Sequence, residues 1–124
     1  MDTNQNLKKV FTKRLLIYFT KKLKKVLSIT IIKDIVGKEN TVFTAKGDFY
    51  SRDWTGQYQS SPLVVVKPSS TLEVSKVVKA CYQHKVPIVP ISGNTGLSGG
   101  TSANNSIVIS LERLNKIKDI KWFN

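Results

Sequence analysis

The stretch VPIVPISGNTGLSGG at residues 86–100 contains the clearest structural signal in the sequence. Its first six residues form an apolar run of the kind found in a buried strand, and four of the chain's seven glycines follow between positions 93 and 100. Upstream, Leu63–Val66 is another continuous apolar run, and residues 72–82 repeat apolar side chains at helical spacing behind a candidate cap at Ser70 or Thr71. A strand, a helix and a strand in this order predict a βαβ unit with a parallel strand pair. Residues 107–111 predict a third strand, followed by a turn or short helix.

The glycine-rich segment 92–100 is typical of an anion-binding loop. Glycines let the backbone approach a ligand closely, and successive N–H groups form a concavity that holds a phosphate. The segment also leaves the carboxyl end of a predicted parallel strand, where α/β sheets bind ligands. It matches neither common nucleotide motif, because Thr95 replaces the second glycine of G-x-G-x-x-G and no glycine precedes a Lys-Ser or Lys-Thr pair. On composition alone, a merely flexible connection is an equal alternative.

Residues 1–36 are predicted to form a basic amphipathic helical segment. They hold nine Lys or Arg against two Asp, so this segment contributes 9 − 2 = +7 of the net charge of +12. We expect one helix, or two with a break near Ser28, with a cap at Asn6 and an end in the left-handed conformation at Gly37. The predicted apolar stripe consists of Leu7, Phe11, Leu15, Tyr18, Val26, Leu27, Ile31 and Ile35.

Two interpretations of this basic segment stay open. The favoured one packs the apolar stripe against the domain and leaves the lysines in water. The other places the segment on an anionic membrane surface. A mitochondrial presequence is disfavoured, because lysine outnumbers arginine eight to one in this segment.

Residues 37–61 are predicted to be an irregular connection with a short strand at 41–45. Four aromatic residues lie within it, and we expect Trp54, beside Asp53, to pin the connection to the core rather than to line a ligand pocket.

Cys81 falls on the apolar side of the predicted helix at residues 72–82 and is expected to be a buried hydrophobe. His84 falls at the helix end and is expected to be a solvent-facing cap residue.

Length and composition limit the class of protein. The 124 residues allow one domain, and the 40% hydrophobic content is that of a globular chain. The longest apolar run, residues 15–19, is far shorter than the roughly 20 residues that a bilayer crossing needs. A single cysteine rules out an internal disulfide and favours a reducing compartment, so we expect a cytoplasmic protein, with contact at the inner face of a membrane as the alternative. No nucleic-acid-binding module accompanies the charge, and no metal site is expected.

Four ordered motifs carry a family resemblance. They are DWTGQY at residues 53–58, PLVVVKPSSTLEV at 62–74, the stretch at 86–100 and IVISLERLNKI at 107–117. Together they resemble the FAD-binding domain of oxidoreductases of the vanillyl-alcohol oxidase and p-cresol methylhydroxylase type. Within that type, the similarity is to the group of D-2-hydroxyglutarate dehydrogenase, D-lactate dehydrogenase and the glycolate oxidase D-subunit. The implied fold class is α+β: an N-terminal helix followed by the parallel βαβ subdomain of such a domain, which is truncated and occupies residues 62–124.

The resemblance also implies a cofactor and a site. FAD would bind noncovalently, because the loop contains neither the histidine nor the cysteine through which some relatives attach it. Ser92 stands where relatives often carry glycine, and Pro90 is expected to fix the start of the loop. The implied FAD-binding residues are Pro90, Ser92, Gly93, Asn94, Thr95, Gly96, Gly99 and Gly100.

The implied function is that of the amino-terminal part of an FAD-dependent dehydrogenase acting on a small D-2-hydroxy acid such as 2-hydroxyglutarate, lactate or glycolate. Relatives carry their substrate-binding and catalytic residues in later segments, so no catalytic residue is expected here and the chain alone is expected to be inactive. The alternative is a non-catalytic remnant or split-gene subunit, which acts as a basic membrane-surface module or binds the missing part of the enzyme. An unpaired edge expected on the third strand motivates this alternative.

Overall fold

The computed structural model describes residues 3–45 and 48–120. A long helix precedes a four-stranded sheet, and a second helix crosses between two of the strands. The elements are α1 (Thr3–Val36), a single 3₁₀ turn (Lys38–Asn40), β1 (Thr41–Val42), β2 (Val64–Val66), α2 (Thr71–His84), β3 (Ile88–Ile91) and β4 (Ile107–Ser110). The predicted α+β class, with a helix ahead of a parallel βαβ subdomain, is confirmed.

The sheet has the order β1-β2-β4-β3. Strand β1 runs antiparallel to β2, whereas β4 runs parallel to both β2 and β3, with Val108 facing Val65 on one side and Val89 on the other. The two strands of the predicted βαβ unit, β2 and β3, are parallel, but β4 lies between them and pairs with both, so the expected free edge on β4 is wrong. All four residues of β4 are buried, and a strand with apolar residues on both faces is most stable in the middle of a sheet.

Apolar residues cover both faces of the sheet. On one face the strands pack against the two helices through a cluster that includes Ile32, Val66, Val77, Cys81 and Ile107. On the other face a smaller cluster consists of Val65, Ile91, Ala103 and Val108, with Val42, Tyr50 and Val89 packed against it. The alternation of neighbouring strand residues between the two clusters follows from the period of two in a β-strand.

Helix α2 begins and ends with local signals that the sequence contains. The Ser70 hydroxyl accepts a hydrogen bond from the Glu73 amide (3.2 Å), and the Glu73 carboxylate accepts one from the Ser69 amide (2.8 Å). The predicted cap at Ser70 is thus confirmed, and the helix ends at Lys85 in the left-handed conformation (φ 55°). Only Val77, Ala80 and Cys81 are buried, so the contact face is narrower than the predicted stripe.

Helix α1 is continuous, and most of it extends beyond the domain. Only Ser28, Ile32 and Val36 are buried. The predicted break near Ser28 is absent, and the Ser28 hydroxyl donates to the Lys25 carbonyl within the continuous helix (2.8 Å). Asn6 lies inside the helix and does not cap it. The prediction that the apolar stripe packs against the domain is wrong for residues 7–27, where the side chains of the stripe are exposed. A helix of 34 residues is about 51 Å long, whereas α2, with 14 residues, offers about 21 Å of contact surface.

The end of α1 differs from the expectation in one detail. Gly37 has a positive φ of 89°, as a glycine at a helix end permits, but its ψ of 151° is extended rather than left-handed helical. The chain then turns through the 3₁₀ segment into β1, which covers only the first two residues of the predicted strand at 41–45. None of the helices in residues 3–45 and 48–120 is long and apolar enough to cross a membrane.

Candidate functional site

The glycine-rich loop lies at the carboxyl end of the parallel strands. It leaves β3 after Ile91 and returns to the sheet at β4, and residues 48–59 of the connection lie beside it. The loop is not helical, and only Asn94 among residues 92–100 is buried. The structure therefore places the predicted loop residues together at the end of the sheet where ligands bind in open α/β folds.

Asn94 fixes the shape of the loop. Its side-chain amide donates to the carbonyls of Phe49 (3.0 Å) and Arg52 (2.9 Å), and its side-chain oxygen accepts a hydrogen bond from the Thr101 hydroxyl (2.7 Å). The residue is 6% exposed and has a left-handed backbone (φ 52°), which asparagine tolerates better than most residues. The polar atoms of the Asn94 side chain are thus occupied within the protein, and they hold the loop against the connection.

The backbone amides of the loop are free. Within the described chain, none of the amides from Gly93 to Thr101 donates a hydrogen bond to another protein group, and the first amide that does is Ser102, to the Gly99 carbonyl (3.0 Å). Unpaired N–H groups in a curved, glycine-rich segment are donors for an anion. The predicted loop chemistry requires such free amides.

The fold requires glycine at some positions of the loop and not at others. Gly99 has φ 70°, and a Cβ there would lie 2.8 Å from the Tyr58 ring, so the fold itself requires glycine. Gly96 and Gly100 have ordinary φ values, and a Cβ on either would meet nothing within 4 Å. Neither strain nor packing requires glycine at these two positions. Their small size leaves open space in which a group from outside the chain can approach the backbone.

The remaining predicted residues border this space. Ser92 and Thr95 are exposed, and a Cβ on Gly93 would only make ordinary contact with Thr95 at 3.7 Å. Pro90 lies in β3 opposite Ile109, on the outer strand of the sheet in the described region, where its missing N–H costs no ladder hydrogen bond. At the far end of the loop, the Ser102 hydroxyl is buried without a hydrogen-bond partner in the described chain.

A cleft of about 270 Å³ adjoins the loop. Asp53, rather than Trp54, pins its wall: the Asp53 carboxylate accepts hydrogen bonds from the Thr55 hydroxyl (2.6 Å) and the Tyr58 amide (3.1 Å). The Thr55 bond is the main cause of a lowered pKa at Asp53. Trp54 is 69% exposed, so the expectation that it anchors the connection is wrong. The cleft is lined by Phe49, Arg52, Asp53, Trp54, Thr55, Gly56 and Asn94.

A polar cluster at the ends of β2 and β4 holds the connection from the other side. Glu112 forms an ion pair with Lys67 (2.8 Å) and accepts hydrogen bonds from the hydroxyls of Tyr50 and Ser110. The Lys67 hydrogen bond lowers the pKa of Glu112, and the same bond raises the pKa of Lys67. Sequence reasoning missed this cluster because its members are separated by up to 62 residues in the chain.

Cys81 and His84, the cysteine and the histidine of the chain, lie away from the glycine-rich loop. Burial raises the pKa of the Cys81 thiol to about 11, and the thiol belongs to the core. His84 ends α2 at the opposite end of the sheet, close to Asn105 and Pro87, which precede β4 and β3. The loop therefore has neither of these two groups beside it.

Comparison with known proteins shows similarity to FAD binding domains. A family model described as FAD binding domain matches residues 62–122. The chain is 47% identical over 73 residues to D-2-hydroxyglutarate dehydrogenase of Xanthomonas citri pv. viticola, covering 58% of this chain and 16% of that protein. It is 42% identical over 72 residues to glycolate oxidase subunit GlcD of Bacillus subtilis, covering 57% and 15%. A putative mitochondrial D-lactate dehydrogenase of Schizosaccharomyces pombe is 33% identical over 98 residues, covering 72% and 19%.

Solved structures share the fold. p-Cresol methylhydroxylase with substrate bound superimposes with a TM-score of 0.63 at 22% identity, covering 79% of this chain and 20% of that one. An alkyldihydroxyacetonephosphate synthase gives a TM-score of 0.63 at 19% identity, covering 76% and 20%. The chain thus spans less than a quarter of the length of each of these proteins.

The loop fits the cofactor of this family. FAD contains a diphosphate, and the free amides of residues 93–101, together with the open space beside Gly96 and Gly100, suit a diphosphate in charge and in size. The matched range, 62–122, includes the whole loop and the parallel strands that carry it. Residues 62–122 of this chain thus match the FAD binding domain family, and the chain shares the fold that p-cresol methylhydroxylase shows.

Proposed function

We propose that this chain is the cofactor-loop portion of an FAD-dependent dehydrogenase that oxidises a small D-2-hydroxy acid. The loop at residues 92–100 binds the FAD diphosphate noncovalently. The observation that carries this proposal is the row of free amides between Gly93 and Thr101, beside two glycines that the fold itself does not need. The names of the relatives, which include a D-2-hydroxyglutarate dehydrogenase and a glycolate oxidase subunit, support the substrate class.

Each part of the loop has a separate task in this proposal. The amides near Gly96 donate to the diphosphate oxygens, and the hydroxyls of Ser92 and Thr95 are in position to add hydrogen bonds. Asn94 maintains the curvature of the loop through its hydrogen bonds to the connection, and Tyr58 packs against the loop at Gly99. FAD, when bound, supplies the group that accepts the two electrons from the carbon that bears the substrate hydroxyl.

The catalytic residues belong to another part of the enzyme in this proposal. Cys81 is buried and His84 lies at the far end of the sheet, so neither is placed to take the proton of the substrate hydroxyl. The partner of this chain is then the remainder of such an enzyme, which supplies the rest of the flavin site and the substrate site. Support comes from the lengths: the chain spans 15 to 19% of the three curated relatives described above.

FAD titration tests the role of the loop. The purified chain is added to FAD and the quenching of flavin fluorescence is measured for the wild type, Gly96→Val and Ser61→Val. Ser61→Val is the matched control, because it adds a β-branched side chain at an exposed position before β2, at the opposite end of the sheet. We expect Gly96→Val to raise the Kd at least about tenfold, which corresponds to about 1.4 kcal/mol, and Ser61→Val to leave it unchanged.

Two results would count against the proposal. Equal Kd values for the wild type and Gly96→Val would remove the loop from the cofactor site. Equal weakening by both substitutions, with circular dichroism showing intact folds, would mean that the binding is not local to the loop.

A further inference from the structure

Residues 3–27 of α1 extend beyond the domain and are called the overhang. The overhang has an apolar stripe that faces away from the domain. One side of the helix continues into the core. It is marked by residues that are seven positions apart: Phe11, Tyr18, Lys25 and Ile32. A second stripe faces outward and is exposed, and its Phe19 ring contacts only the neighbouring Tyr18 ring edge-on among the described aromatic pairs. Its side chains are 48 to 68% exposed: Leu16, Phe19, Leu23, Val26 and Leu27.

Lysines surround this outward stripe. With about 100° of rotation per residue, Lys22 and Lys24 fall on its two flanks, and Lys21 and Lys25 fall behind it, toward the domain. Residues 3–27 hold eight basic side chains and no acidic one. Between residues 16 and 27 the overhang therefore has an apolar strip with lysines at its borders, and it lies outside the matched range 62–122.

The basic surface continues onto the domain. A cleft of about 640 Å³ lies between α1 and the segment that joins α2 to β3, lined by lysines of the helix together with His84 and Lys85. It adjoins Asn105, whose side chain accepts a hydrogen bond from Lys25 (3.5 Å). Because Asn105 and Pro87 precede their strands, the cleft is at the amino end of the parallel strands, and the glycine-rich loop is at the carboxyl end.

We propose that the overhang binds the surface of an anionic membrane. The outward stripe enters the boundary between headgroups and acyl chains, and the bordering lysines contact lipid phosphates. The charge favours a membrane over a second copy of the chain, because two such helices, with eight positive charges each, would repel each other. The apolar stripe selects it over a nucleic acid, which would engage the lysines and leave Phe19 and Leu23 in water. Anionic lipid is abundant in the cytoplasmic leaflet, so this contact locates the protein at the inner face of a membrane.

The contact leaves the glycine-rich loop facing away from the bilayer. Strands β3 and β4 separate the two surfaces, and no residue of the outward stripe belongs to the loop or its cleft. Membrane binding is therefore independent of the proposed cofactor role, and each can fail without the other.

Vesicle sedimentation of the full chain tests the proposal. Vesicles of phosphatidylcholine alone are compared with vesicles that also contain phosphatidylglycerol, at low and high salt. The first variant replaces Lys21, Lys22, Lys24 and Lys25 by glutamine, and its matched control makes the same change at four lysines elsewhere (Lys76, Lys79, Lys116 and Lys118). The second variant is Phe19→Ser with Leu23→Ser, matched by Leu72→Ser with Tyr82→Ser, which are exposed apolar residues of α2.

We expect sedimentation only with the anionic vesicles, and a weakening of binding on the order of 100-fold in the first lysine variant, since each lysine near an anionic surface adds roughly a fivefold factor before screening. The serine variant at 19 and 23 should also lose binding, and both controls should retain it. Circular dichroism establishes that the variants keep their helices.

Several outcomes overturn the proposal. They are failure to sediment with anionic vesicles at low salt, equal loss in the lysine variant and its control, or elution of the lipid-free chain as a dimer that Leu23→Ser dissociates. Tighter binding to duplex DNA than to the vesicles, unaffected by the serine substitutions, would assign the basic surface to nucleic acid instead.

Discussion

Replacing Asn94 by alanine should strongly destabilise the protein. The substitution removes three hydrogen bonds, which link Asn94 to Phe49, Arg52 and Thr101. At about 1 kcal/mol each, these bonds amount to about 3 kcal/mol. The left-handed backbone at φ 52° adds about 1 kcal/mol for a residue with a Cβ and no local polar group, which gives about 4 kcal/mol in all.

A second asparagine separates these two contributions. Asn105 has nearly the same backbone (φ 53°), but it is exposed, and its side chain makes only the 3.5 Å contact with Lys25. Asn105→Ala should therefore cost about 1 kcal/mol, mostly the backbone contribution. A third variant, Thr101→Val, removes one of the three Asn94 bonds and should cost about 1 kcal/mol.

Urea unfolding followed by circular dichroism measures all three free energies of unfolding. The expected order is Asn94→Ala well above the other two, which should be similar. If Asn94→Ala costs no more than Asn105→Ala, the side-chain bonds of Asn94 contribute nothing to stability, and the argument that this residue shapes the loop is refuted.

Three further predictions concern stability, reactivity and pH. Gly99→Ala should lower the melting temperature, because of its positive φ and the close ring beside it, whereas Gly96→Ala should leave the melting temperature unchanged; calorimetry compares the two. Cys81, buried and with a pKa of about 11, should react with a thiol reagent only as fast as the protein unfolds, so rapid labelling in native buffer would contradict its place in the core. Glu112 has a lowered pKa in the folded state, so its stabilisation is present above the usual Glu pKa and is lost as the pH falls through the folded-state value. The difference in unfolding free energy between the wild type and Glu112→Gln should accordingly be largest at neutral pH and disappear in acid, and a difference that does not depend on pH would exclude the ion pair with Lys67 as its cause.

Features of the fold that depend on neighbouring residues could be predicted from the sequence. The apolar run at Val64–Val66, the cap at Ser70 and the burial of Cys81 each follow from short-range patterns, and the structure has all three. The position of the glycine-rich loop followed from the strand before it. The role of these loop residues in binding FAD remains a prediction.

Features that depend on distant residues could not be predicted. The place of β4 between β2 and β3 is set by burial on both sides of the strand, which no local pattern encodes. Two of the three partners of the Asn94 side chain, Phe49 and Arg52, lie more than 40 residues earlier in the chain. Helical periodicity in α1 is the same whether a surface covers the helix or not, so the pattern predicted the helix and not its overhang.

The central position of β4 has a consequence for how the chain is made. On the ribosome β2, α2 and β3 emerge first, yet β2 and β3 touch only through a strand that is synthesised later. Until residues 107–110 are released, the two earlier strands have no partner on their inner edges, and their valines and isoleucines remain open to aggregation or to chaperones. Formation of the sheet is therefore a late, concerted step, and a nascent chain stalled in the glycine-rich loop would hold two strands that cannot yet join.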